Sequence, residues 1–489
     1  ALAMGMAKVI IEEALYDKEY VARHTIGFDE LRKEVATFSL EDVSAETWIE
    51  VETIREVSRM YATSKPAQIL WGNALENSVC ALQICRAVTI LRALTGNIGV
   101  HGGEIIIEPA KFNRPGRFYF DRKFPRPVHK SIGKEFPIAM GSAYVPTQSL
   151  VRTILTQDPY PVKMGLAHVT NPLLTYPDAS STYEAFMKLN FLVVAEIFPT
   201  SFTSIADIVL PAALPHEHDT IGYWPSWFGY VKAYQKVVEP PGEAWPDAKM
   251  INELAKRVGL GQYFWDDWHD CLDLMLEESG LTYDELIKKR ILRPTRYFLE
   301  DRDPYFPTPS GKAEIYSQQM TQLGLSPLPY FKEVAASRFA KPDFERYPLV
   351  LTNFKEGAYM LSGYRQIKSM RKRRPEAVVE VHPDTAAKYG VKNGDMIYIE
   401  SKKGRIQQRL KTASYIHPGV VMAAFGWWNP DEDDQLSWRK HNVNVLTDAD
   451  PPHDPATGSV QLRGVPCRIY LDEPPDARRK KRGHSSKMS

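Results

Sequence analysis

Residues 191–211 read FLVVAEIFPTSFTSIADIVLP. Two apolar runs, Phe191 to Ile197 and Ile208 to Leu210, flank a loop of small and polar residues. Neither run alternates apolar with polar side chains, which is typical of strands in a parallel sheet that is covered on both faces. The stretch therefore predicts two strands of an open α/β sheet, with a polar loop just past the end of the first.

Predicted strands and helices continue on both sides of this stretch. Val162 to Val169 is strand-like and Tyr183 to Leu189 is helical. Further upstream, Pro66 to Gly72 predicts a short buried strand that ends on glycine, and an apolar helix is predicted over Asn77 to Leu94. Strand, glycine and helix in that order form one unit of an open α/β sheet. From about Tyr347, short apolar runs separated by turn signals predict a compact β-barrel or sandwich.

Composition excludes several classes of protein. The chain has 489 residues, of which 44% are hydrophobic and 25% charged, so it is not a disordered polymer. No window approaches the ~18 consecutive apolar residues of a membrane-spanning helix. Lys and Arg number 61 against 60 Asp and Glu, a balance that gives no whole-chain attraction to nucleic acid or anionic lipid.

Cysteine and histidine usage limits the kind of metal site that the chain could build. Four cysteines cannot form a dense disulfide framework and suit a reducing compartment such as the cytoplasm. Of the twelve histidines, only His216 and His218 lie within two residues of each other, so no cluster has the spacing of a self-sufficient zinc site. Any metal must obtain most of its ligands from elsewhere.

Several segments, taken in order, resemble the molybdopterin oxidoreductase superfamily of the dimethyl-sulfoxide-reductase type. They are Ala1 to Leu15 with the following YDKEYVARHTIGFDEL, Ile69 to Gly72 with Leu94 to Gly99 and Gly102-Gly103, Asn171-Pro172 with Val193 to Glu217, Phe306 to Lys312 with Glu314, Glu380 to Asp384 with Asn393 to Asp395, Gly426 to Trp428, and Asn444 to Thr447. The order and spacing of these segments across nearly the whole chain carry the resemblance.

The resemblance implies a fold of two dinucleotide-binding-like α/β domains followed by a C-terminal β-barrel of the double-psi type. With the pattern along the chain, it predicts the remainder of an α/β domain over 1–108, a second α/β cofactor-binding domain with irregular crossing segments over 109–345, a molybdopterin dinucleotide-binding barrel over 346–473 and a basic polar tail over 474–489. The first helix begins without a capping residue or an initiator Met, so we expect the chain to be the C-terminal two thirds of a longer protein.

The resemblance also implies a function. It implies two molybdopterin guanine dinucleotides that hold molybdenum or tungsten mainly through dithiolene sulfurs, which accounts for the lack of a His/Cys cluster. The expected chemistry is two-electron or oxygen-atom transfer on a small-molecule substrate. The family's [4Fe-4S] cluster and metal-ligating residue belong to an N-terminal region that no segment here resembles, so this chain alone is expected to be inactive. An iron–sulfur electron-transfer subunit is an expected partner, whereas nucleic acid and a direct membrane span are not expected.

Two other functions stay open at this point. The stretch YRQIKSMRKRRPEA with FGWW looks nearest to acetylene-hydratase-like and thiosulfate- or polysulfide-reductase-like branches, and a tungsten hydratase would add water without redox change. The chain could instead be a non-catalytic cofactor-binding or structural subunit of a redox complex. An α/β hydrolase lacks support because no GxSxG nucleophile elbow is present.

The α/β part supplies candidate cofactor-binding residues at its turns. Backbone N–H groups at the Gly72 and Asn171 turns are placed to cradle a pyrophosphate. Glu196 and Thr200 could hydrogen-bond the guanine or ribose, or could cap a turn. Glu217 is a candidate for the pterin edge or for a structural salt bridge.

The barrel supplies the remaining candidates. Thr352, Asn353, Phe354 and Lys355 end its first strand, in the position of the family's loop that wraps a pterin. Trp427 and Trp428 are either core aromatic residues or, as the resemblance implies, part of a cofactor-facing edge with Trp427 as the candidate contact, and Asn444 has the amide needed to read a pterin ring. The basic run that begins at Arg365 is either a solvated loop or a source of one or two phosphate contacts.

Overall fold

The computed structural model describes residues 1–113, 130–141, 144–223, 229–300, 303, 306–331, 341–430 and 436–471. By their contacts, the described residues fall into two units. The first unit contains those of Ala1–Glu76, Leu82–Val128 and Pro211–Glu333, and the second contains those of Asn77–Ala81, His129–Leu210 and Val334–Ser489. The predicted basic tail over 474–489 lies outside the described residues.

Helices dominate the first unit. They are α1 (Leu2–Glu12), α2 (Lys18–His24), α3 (Phe28–Val35), α4 (Leu40–Thr47), α5 (Val51–Thr63), α6 (Ala81–Leu94), α11 (Asp247–Ala255), α12 (Trp268–Leu276), α13 (Tyr283–Lys289) and α14 (Gln318–Gln322). The α1 helix is apolar on nearly every face, as expected of a helix at the centre of a core. Its residues Met4, Val9 and Ile10 lie in one buried cluster with Ile54 of α5 and Leu91 of α6.

Three small sheets complete the first unit. Their strands are β1 (Thr25–Ile26), β2 (Ile106–Glu108), β6 (Thr220–Tyr223), β7 (Val231–Tyr234), β8 (Ile291–Leu292), β9 (Thr295–Tyr297) and β10 (Ala313–Glu314). The β1 strand pairs parallel with β10, β2 pairs antiparallel with β9, and β6, β7 and β8 form an antiparallel sheet.

The prediction of a buried strand over Pro66 to Gly72 is wrong. This segment is largely exposed and forms no strand. Its backbone groups bond to side chains instead of a neighbouring strand: the N–H of Ala67 donates to Asn97 Oδ1 over 3.0 Å, and the carbonyl of Ile69 accepts from Arg92 Nη2 over 2.6 Å. An apolar run cannot by itself distinguish a strand from a loop that is held in this way.

The second unit begins with a small sheet and its helices. The elements are α7 (Pro137–Gly141), α8 (Thr147–Thr156), β3 (Met164–His168), α9 (Pro172–Thr175), α10 (Ala179–Met187), β4 (Phe191–Glu196) and β5 (Ile208–Pro211). The strand order is β3-β4-β5, and β3 pairs parallel with β4. The strands predicted from residues 162–169, 191–197 and 208–210 are therefore confirmed. Only the central strand β4 is largely buried, because β3 and β5 are edge strands.

A closed six-stranded barrel forms the rest of the second unit and confirms the predicted C-terminal β-barrel. Its strands are β11 (Leu349–Phe354), β12 (Val378–Val381), β13 (Met396–Glu400), β14 (Arg405–Thr412), β15 (Val420–Ala424) and β16 (Val465–Tyr470), in the order β11-β15-β12-β14-β13-β16. One helix precedes the first barrel strand and three lie between strands in the sequence: α15 (Lys341–Arg346), α16 (Lys368–Arg373), α17 (Pro383–Lys388) and α18 (Trp438–His441). Alternate residues of β13, Ile397 and Ile399, fill the barrel interior.

One further core joins the small sheet to the barrel inside this unit. Leu173 and Leu174 of α9 and Phe202 of the loop after β4 pack with Trp428 and Trp438 from the barrel side. This core fixes the loops that follow β3 and β4 against the barrel, and it therefore positions the candidate site. No helix in the described parts of the chain is long and apolar enough to cross a membrane.

Candidate cofactor-binding site

Two loops meet at one edge of the small sheet. Because β3 and β4 are parallel, their carboxyl ends lie at the same edge, which is where open α/β sheets bind ligands. Asn171 lies in the loop after β3 and Ser201 in the loop after β4, and both residues are buried. Neither Asn171 Oδ1 nor Ser201 Oγ has a hydrogen-bond partner among the described residues. Buried polar atoms are almost always paired, so these two oxygens fit a site for a polar ligand.

The two residues predicted at the end of β4 and in the loop after it, Glu196 and Thr200, have local partners. Thr200 and Thr203 form a closed turn, in which the N–H of Thr200 donates to Thr203 Oγ1 over 2.8 Å and the N–H of Thr203 donates to Thr200 Oγ1 over 3.2 Å. Glu196 Oε1 accepts from the N–H of Ile197 over 2.8 Å. The turn-capping alternative is thus observed at both positions, and their contact with a cofactor stays a prediction.

The two tryptophans after β15 belong to different cores. The ring of Trp427 packs edge-on against Tyr359 at 5.6 Å, so the core alternative describes this residue. Trp428 lies in the core between the sheet and the barrel, where its Nε1 is buried without a partner among the described residues, as is Nε1 of Trp438. Of the pair Trp427 and Trp428, the sequence favoured Trp427 as the contact, whereas the unpaired donors belong to Trp428 and to Trp438. Sequence reasoning missed Trp438, because only the folded chain brings it to this core.

Asn444 is fully buried and its amide is engaged within the chain. Its Nδ2 donates to the carbonyl of Leu174 over 2.9 Å, while Nδ2 of the neighbouring Asn442 donates to the carbonyl of Leu173 over 2.9 Å. The two amides tie the segment before β16 to α9. Reading of a pterin ring by Asn444 stays a prediction, and the observed role of the amide is to position this segment.

The end of β11 brings together a second set of polar groups. Asn353 Nδ2 donates to the carbonyl of Leu462 over 3.1 Å, and its Oδ1 accepts from Arg463 Nη2 over 3.1 Å. Nη1 of Arg463 is buried and has no partner among the described residues, and burial lowers the pKa of this guanidinium. Sequence reasoning missed Arg463, because only the folded barrel places it beside Asn353.

The remaining residues predicted on β11 differ in their exposure. Thr352 is half-buried and lies opposite Met422 in the parallel pair with β15. Phe354 packs against a small core that contains Tyr359, whereas Lys355 is exposed. The side chain of Phe354 is engaged in this core, which favours Thr352 and Lys355 as the residues that meet a ligand.

Two predicted residues lie in the first unit. Gly72 is exposed, and a Cβ added to it would meet no atom within 4 Å, so the backbone there is open to approach. Glu217 is buried, and its Oε2 accepts from the N–H of Leu214 over 2.7 Å. This capping bond, rather than a salt bridge, is the structural role observed for Glu217, and the cofactor contacts of both residues stay predictions.

The donor set of the second unit fits a long polar cofactor better than a bare metal ion. Asn171 and Ser201 offer oxygens, whereas Trp428 and Arg463 offer N–H donors, and each of these four residues has a buried polar atom without a partner among the described residues. In the described parts of the chain, no three His, Cys, Asp or Glu side chains come together in a group that could hold a metal ion. Such amide, hydroxyl and indole groups orient an organic cofactor and do not ligate a transition metal strongly.

Comparison with known proteins identifies the family. Residues 1–257 match the family model of the molybdopterin oxidoreductases, and residues 349–466 match that of the molydopterin dinucleotide binding domain. The chain is 30% identical to acetylene hydratase from Syntrophotalea acetylenica, over 95% of this chain and 68% of the relative. It is 26% identical to formate dehydrogenase H from Escherichia coli, over 88% of this chain and 61% of that enzyme.

A solved structure is similar over almost the whole chain. Acetylene hydratase from Pelobacter acetylenicus superimposes with a TM-score of 0.87 and 28% identity, over 96% of this chain and 70% of that structure. The chain thus spans between 61% and 70% of the length of these relatives. The match of one family model to more than half of its residues, together with this likeness, shows that the chain belongs to the molybdopterin oxidoreductase family.

Proposed function

We propose that the chain binds molybdopterin guanine dinucleotide and forms the larger part of a molybdenum- or tungsten-dependent enzyme that carries out two-electron or oxygen-atom transfer. The observation that carries the proposal is the set of unpaired buried polar atoms, those of Asn171 and Ser201 at the sheet edge and those of Trp428 and Arg463 at the barrel. The parallel pairs β11·β15 and β12·β14 in the closed barrel support the double-psi type for this domain.

The residues named above would bind and orient the cofactor. Asn171 Oδ1 and Ser201 Oγ would contact polar groups that lie along the sheet edge, and the guanidinium of Arg463 would favour the negative charge of a pyrophosphate. The buried indole of Trp428 would donate a hydrogen bond and would exclude water from that side of the cofactor. When bound, the cofactor supplies a metal centre that accepts or donates two electrons.

We propose that a region like the part of the relatives that these 489 residues do not match supplies the metal-ligating residue, the [4Fe-4S] cluster and the contact with an electron-transfer subunit. The chain covers 68% of acetylene hydratase and 61% of formate dehydrogenase H, which leaves room for such a region. On this proposal, the contribution of the 489 residues is to bind the cofactor.

Pterin and metal content test the proposal directly. The chain would be produced in cells that make the cofactor, with molybdate or tungstate added, and then assayed for oxidised pterin, guanine nucleotide and metal. We expect pterin and guanine nucleotide to copurify with the chain, and we expect neither when the cells lack molybdopterin synthesis. Purified, folded chain with no pterin and no guanine nucleotide from cofactor-making cells would contradict the proposal.

The second candidate is a non-redox hydration of the acetylene-hydratase kind. It is favoured by the 30% identity to acetylene hydratase and by the TM-score of 0.87 to its structure. The two reactions differ in electron balance, since hydration of acetylene to acetaldehyde consumes water and no electrons. In the holoenzyme, acetaldehyde formation without oxidation of a reduced viologen dye would support the hydratase, whereas dye-linked reduction of an acceptor would support the oxidoreductase. Cofactor content with neither activity in the holoenzyme would favour a non-catalytic subunit.

A further inference from the structure

A buried arginine lies beside the candidate site and has no role in the contacts described so far. The side chain of Arg365 is 1% exposed. Its guanidinium lies between two aromatic rings, 4.6 Å from the centroid of Tyr359 and 4.7 Å from that of Trp427. Such a position stabilises the cation through the faces of both rings but removes it from water.

No acidic side chain in the described parts of the chain forms an ion pair with Arg365. Nη1 donates to the carbonyl of Leu361 over 2.9 Å, Nη2 donates to the carbonyl of Phe425 over 3.3 Å, and Nε has no partner among the described residues. The charge of Glu356 acts on Arg365 without an ion pair between the two, because Glu356 pairs with Arg374 at 2.7 Å. Burial lowers the pKa of Arg365 to about 10, so the group remains a cation at neutral pH. A buried charge without a direct ion-pair partner is costly unless a ligand of opposite charge completes it.

The backbone that Arg365 holds is strained. Leu361 and Tyr364 have φ values of +53° and +69°, in the left-handed region that side chains other than those of Gly, Asn and Asp seldom adopt. Non-glycine residues in this conformation persist where surrounding contacts fix them, and they cluster at ligand clamps. The bond from Arg365 to the carbonyl of Leu361 is one such contact.

The same segment reaches the loop after β4. Gln366 Nε2 donates to the carbonyl of Pro199 over 2.6 Å, and the ring of Tyr364 meets that of Phe198 edge-on at 6.5 Å. Arg365 therefore lies in the segment that connects the end of β11 with the loop that carries Ser201. Arg463, which bonds to Asn353 at the end of β11, and Ser201 each have a buried polar atom without a partner among the described residues.

We infer that Arg365 is a positioning residue for an anionic guanine dinucleotide: it fixes the strained turn from Tyr359 to Tyr364, and its buried charge, which has no ion-pair partner among the described residues, favours a ligand that bears phosphates. The inference rests on the proposed function, because it takes the ligand from there. It adds a residue that need not touch the ligand and whose charge acts from the small core that contains Tyr359 and Trp427.

Three variants separate the effect of the Arg365 charge from the effect of the turn that Arg365 fixes. Arg365→Met removes the charge and both hydrogen bonds, and Arg365→Lys keeps the charge but loses the forked geometry. Gln366→Ala breaks the bond to Pro199 and leaves the core untouched. Lys392→Met, which removes an exposed cation from the turn between α17 and β13, outside the basic run, is the control. Each chain is purified from cells that make molybdopterin guanine dinucleotide and from cells that cannot, and its guanine nucleotide content and its melting temperature are measured in both forms.

We expect the variants to differ in guanine nucleotide content in a fixed order. We expect Arg365→Met to carry roughly tenfold less guanine nucleotide than wild type. We expect Arg365→Lys to recover part of the loss, and we expect Lys392→Met to match wild type. Gln366→Ala should fall between wild type and Arg365→Met, with an unchanged melting temperature in the cofactor-free form. The rise in melting temperature on cofactor binding should shrink in the same order.

Other results would overturn the inference in distinct ways. Equal cofactor content and an equal rise in melting temperature in Arg365→Met and wild type would remove any role in binding. Equal losses in Arg365→Met and Arg365→Lys would remove the role of the charge. A loss in Lys392→Met as large as in Arg365→Met would make the effect one of net charge. If Arg365→Met fails to fold, the comparison of Arg365→Lys with Gln366→Ala still decides, because wild-type content in both overturns the inference. Wild-type chain without guanine nucleotide would contradict the proposed function itself, which is a separate outcome.

Discussion

At the scale of single residues, two buried asparagines near α9 differ in whether their side-chain amide atoms have a hydrogen-bond partner. Asn171 Oδ1 is buried without a partner among the described residues, whereas Asn442 Nδ2 donates to the carbonyl of Leu173. Asn442→Ala leaves that carbonyl unpaired and should lower the free energy of unfolding of the cofactor-free chain by about 1–3 kcal/mol. Asn171→Ala removes an unpaired oxygen, so it should cost less stability and should instead reduce guanine nucleotide content. Denaturant unfolding of both variants checks this prediction, and a larger loss of stability in Asn171→Ala would contradict it.

Arg86 supports a second prediction at this scale. Its Nη2 donates to the carbonyls of Ile315 over 2.9 Å and Pro327 over 2.7 Å, and Nη1 donates to that of Ser326 over 3.4 Å. Burial lowers the pKa of Arg86 to about 10, and the carbonyl oxygens compensate for lost hydration. A lysine cannot reach the same carbonyls with a planar fork, so Arg86→Lys should lower the free energy of unfolding by roughly 2 kcal/mol. The exposed Arg32→Lys is the control, and equal unfolding midpoints for the two variants would contradict the prediction.

At the scale of elements, an ionic cluster ties α10 to the barrel. Lys403, in the turn between β13 and β14, lies 2.7 Å from Asp178, the residue that caps α10, and 3.7 Å from Asp448. Burial acts to raise the pKa of Asp448, but the N–H of Asp450 and the ammonium groups of Lys402 and Lys403 outweigh it and hold this pKa below the usual 3.8.

The pH dependence of stability should reveal this cluster. Because the pKa of Asp448 is depressed in the folded chain, its contribution is present above pH 3.8 and is lost as the pH falls through the lower folded value. Lys403→Met should therefore destabilise the chain by roughly 1–3 kcal/mol at pH 7, between the values for surface and buried pairs. Its difference from wild type in denaturant unfolding should shrink below pH 3.8. A difference that is constant from pH 7 to pH 3 would show that the cluster contributes no ionic stabilisation.

The elements also show how far sequence reasoning reaches. The barrel strands were predictable because short apolar runs such as Val378–Val381 and Met396–Glu400 are bounded by local turn signals like Asn393-Gly394. The strand predicted at Pro66 to Gly72 was wrong, because the side chains of distant residues such as Arg92 satisfy its backbone. A local pattern predicts strands that are bounded by turns and pair with neighbouring strands. It fails where the side chain of a residue distant in sequence satisfies the backbone instead.

At the scale of the whole molecule, the family and the kind of cofactor were predictable, whereas the polar atoms available to the cofactor were not. Order and spacing of motifs carried the family assignment, which the match of residues 1–257 confirms. Ser201, Trp438 and Arg463 were missed because their unpaired atoms depend on packing between a sheet edge and a barrel that are distant in sequence. Residues such as Asn444, predicted from motif position, proved to have partners within the chain.

The central claim is that this chain binds a guanine dinucleotide of molybdopterin. Native mass spectrometry of the intact 489-residue chain, purified from cells that make the cofactor and from cells that cannot, tests it most directly. We predict that the first sample carries the added mass of at least one guanine dinucleotide per chain, that this mass is absent from the second sample, and that Asn171→Ala reduces the fraction of chain that carries it. Identical masses for folded chain from the two kinds of cell would contradict it.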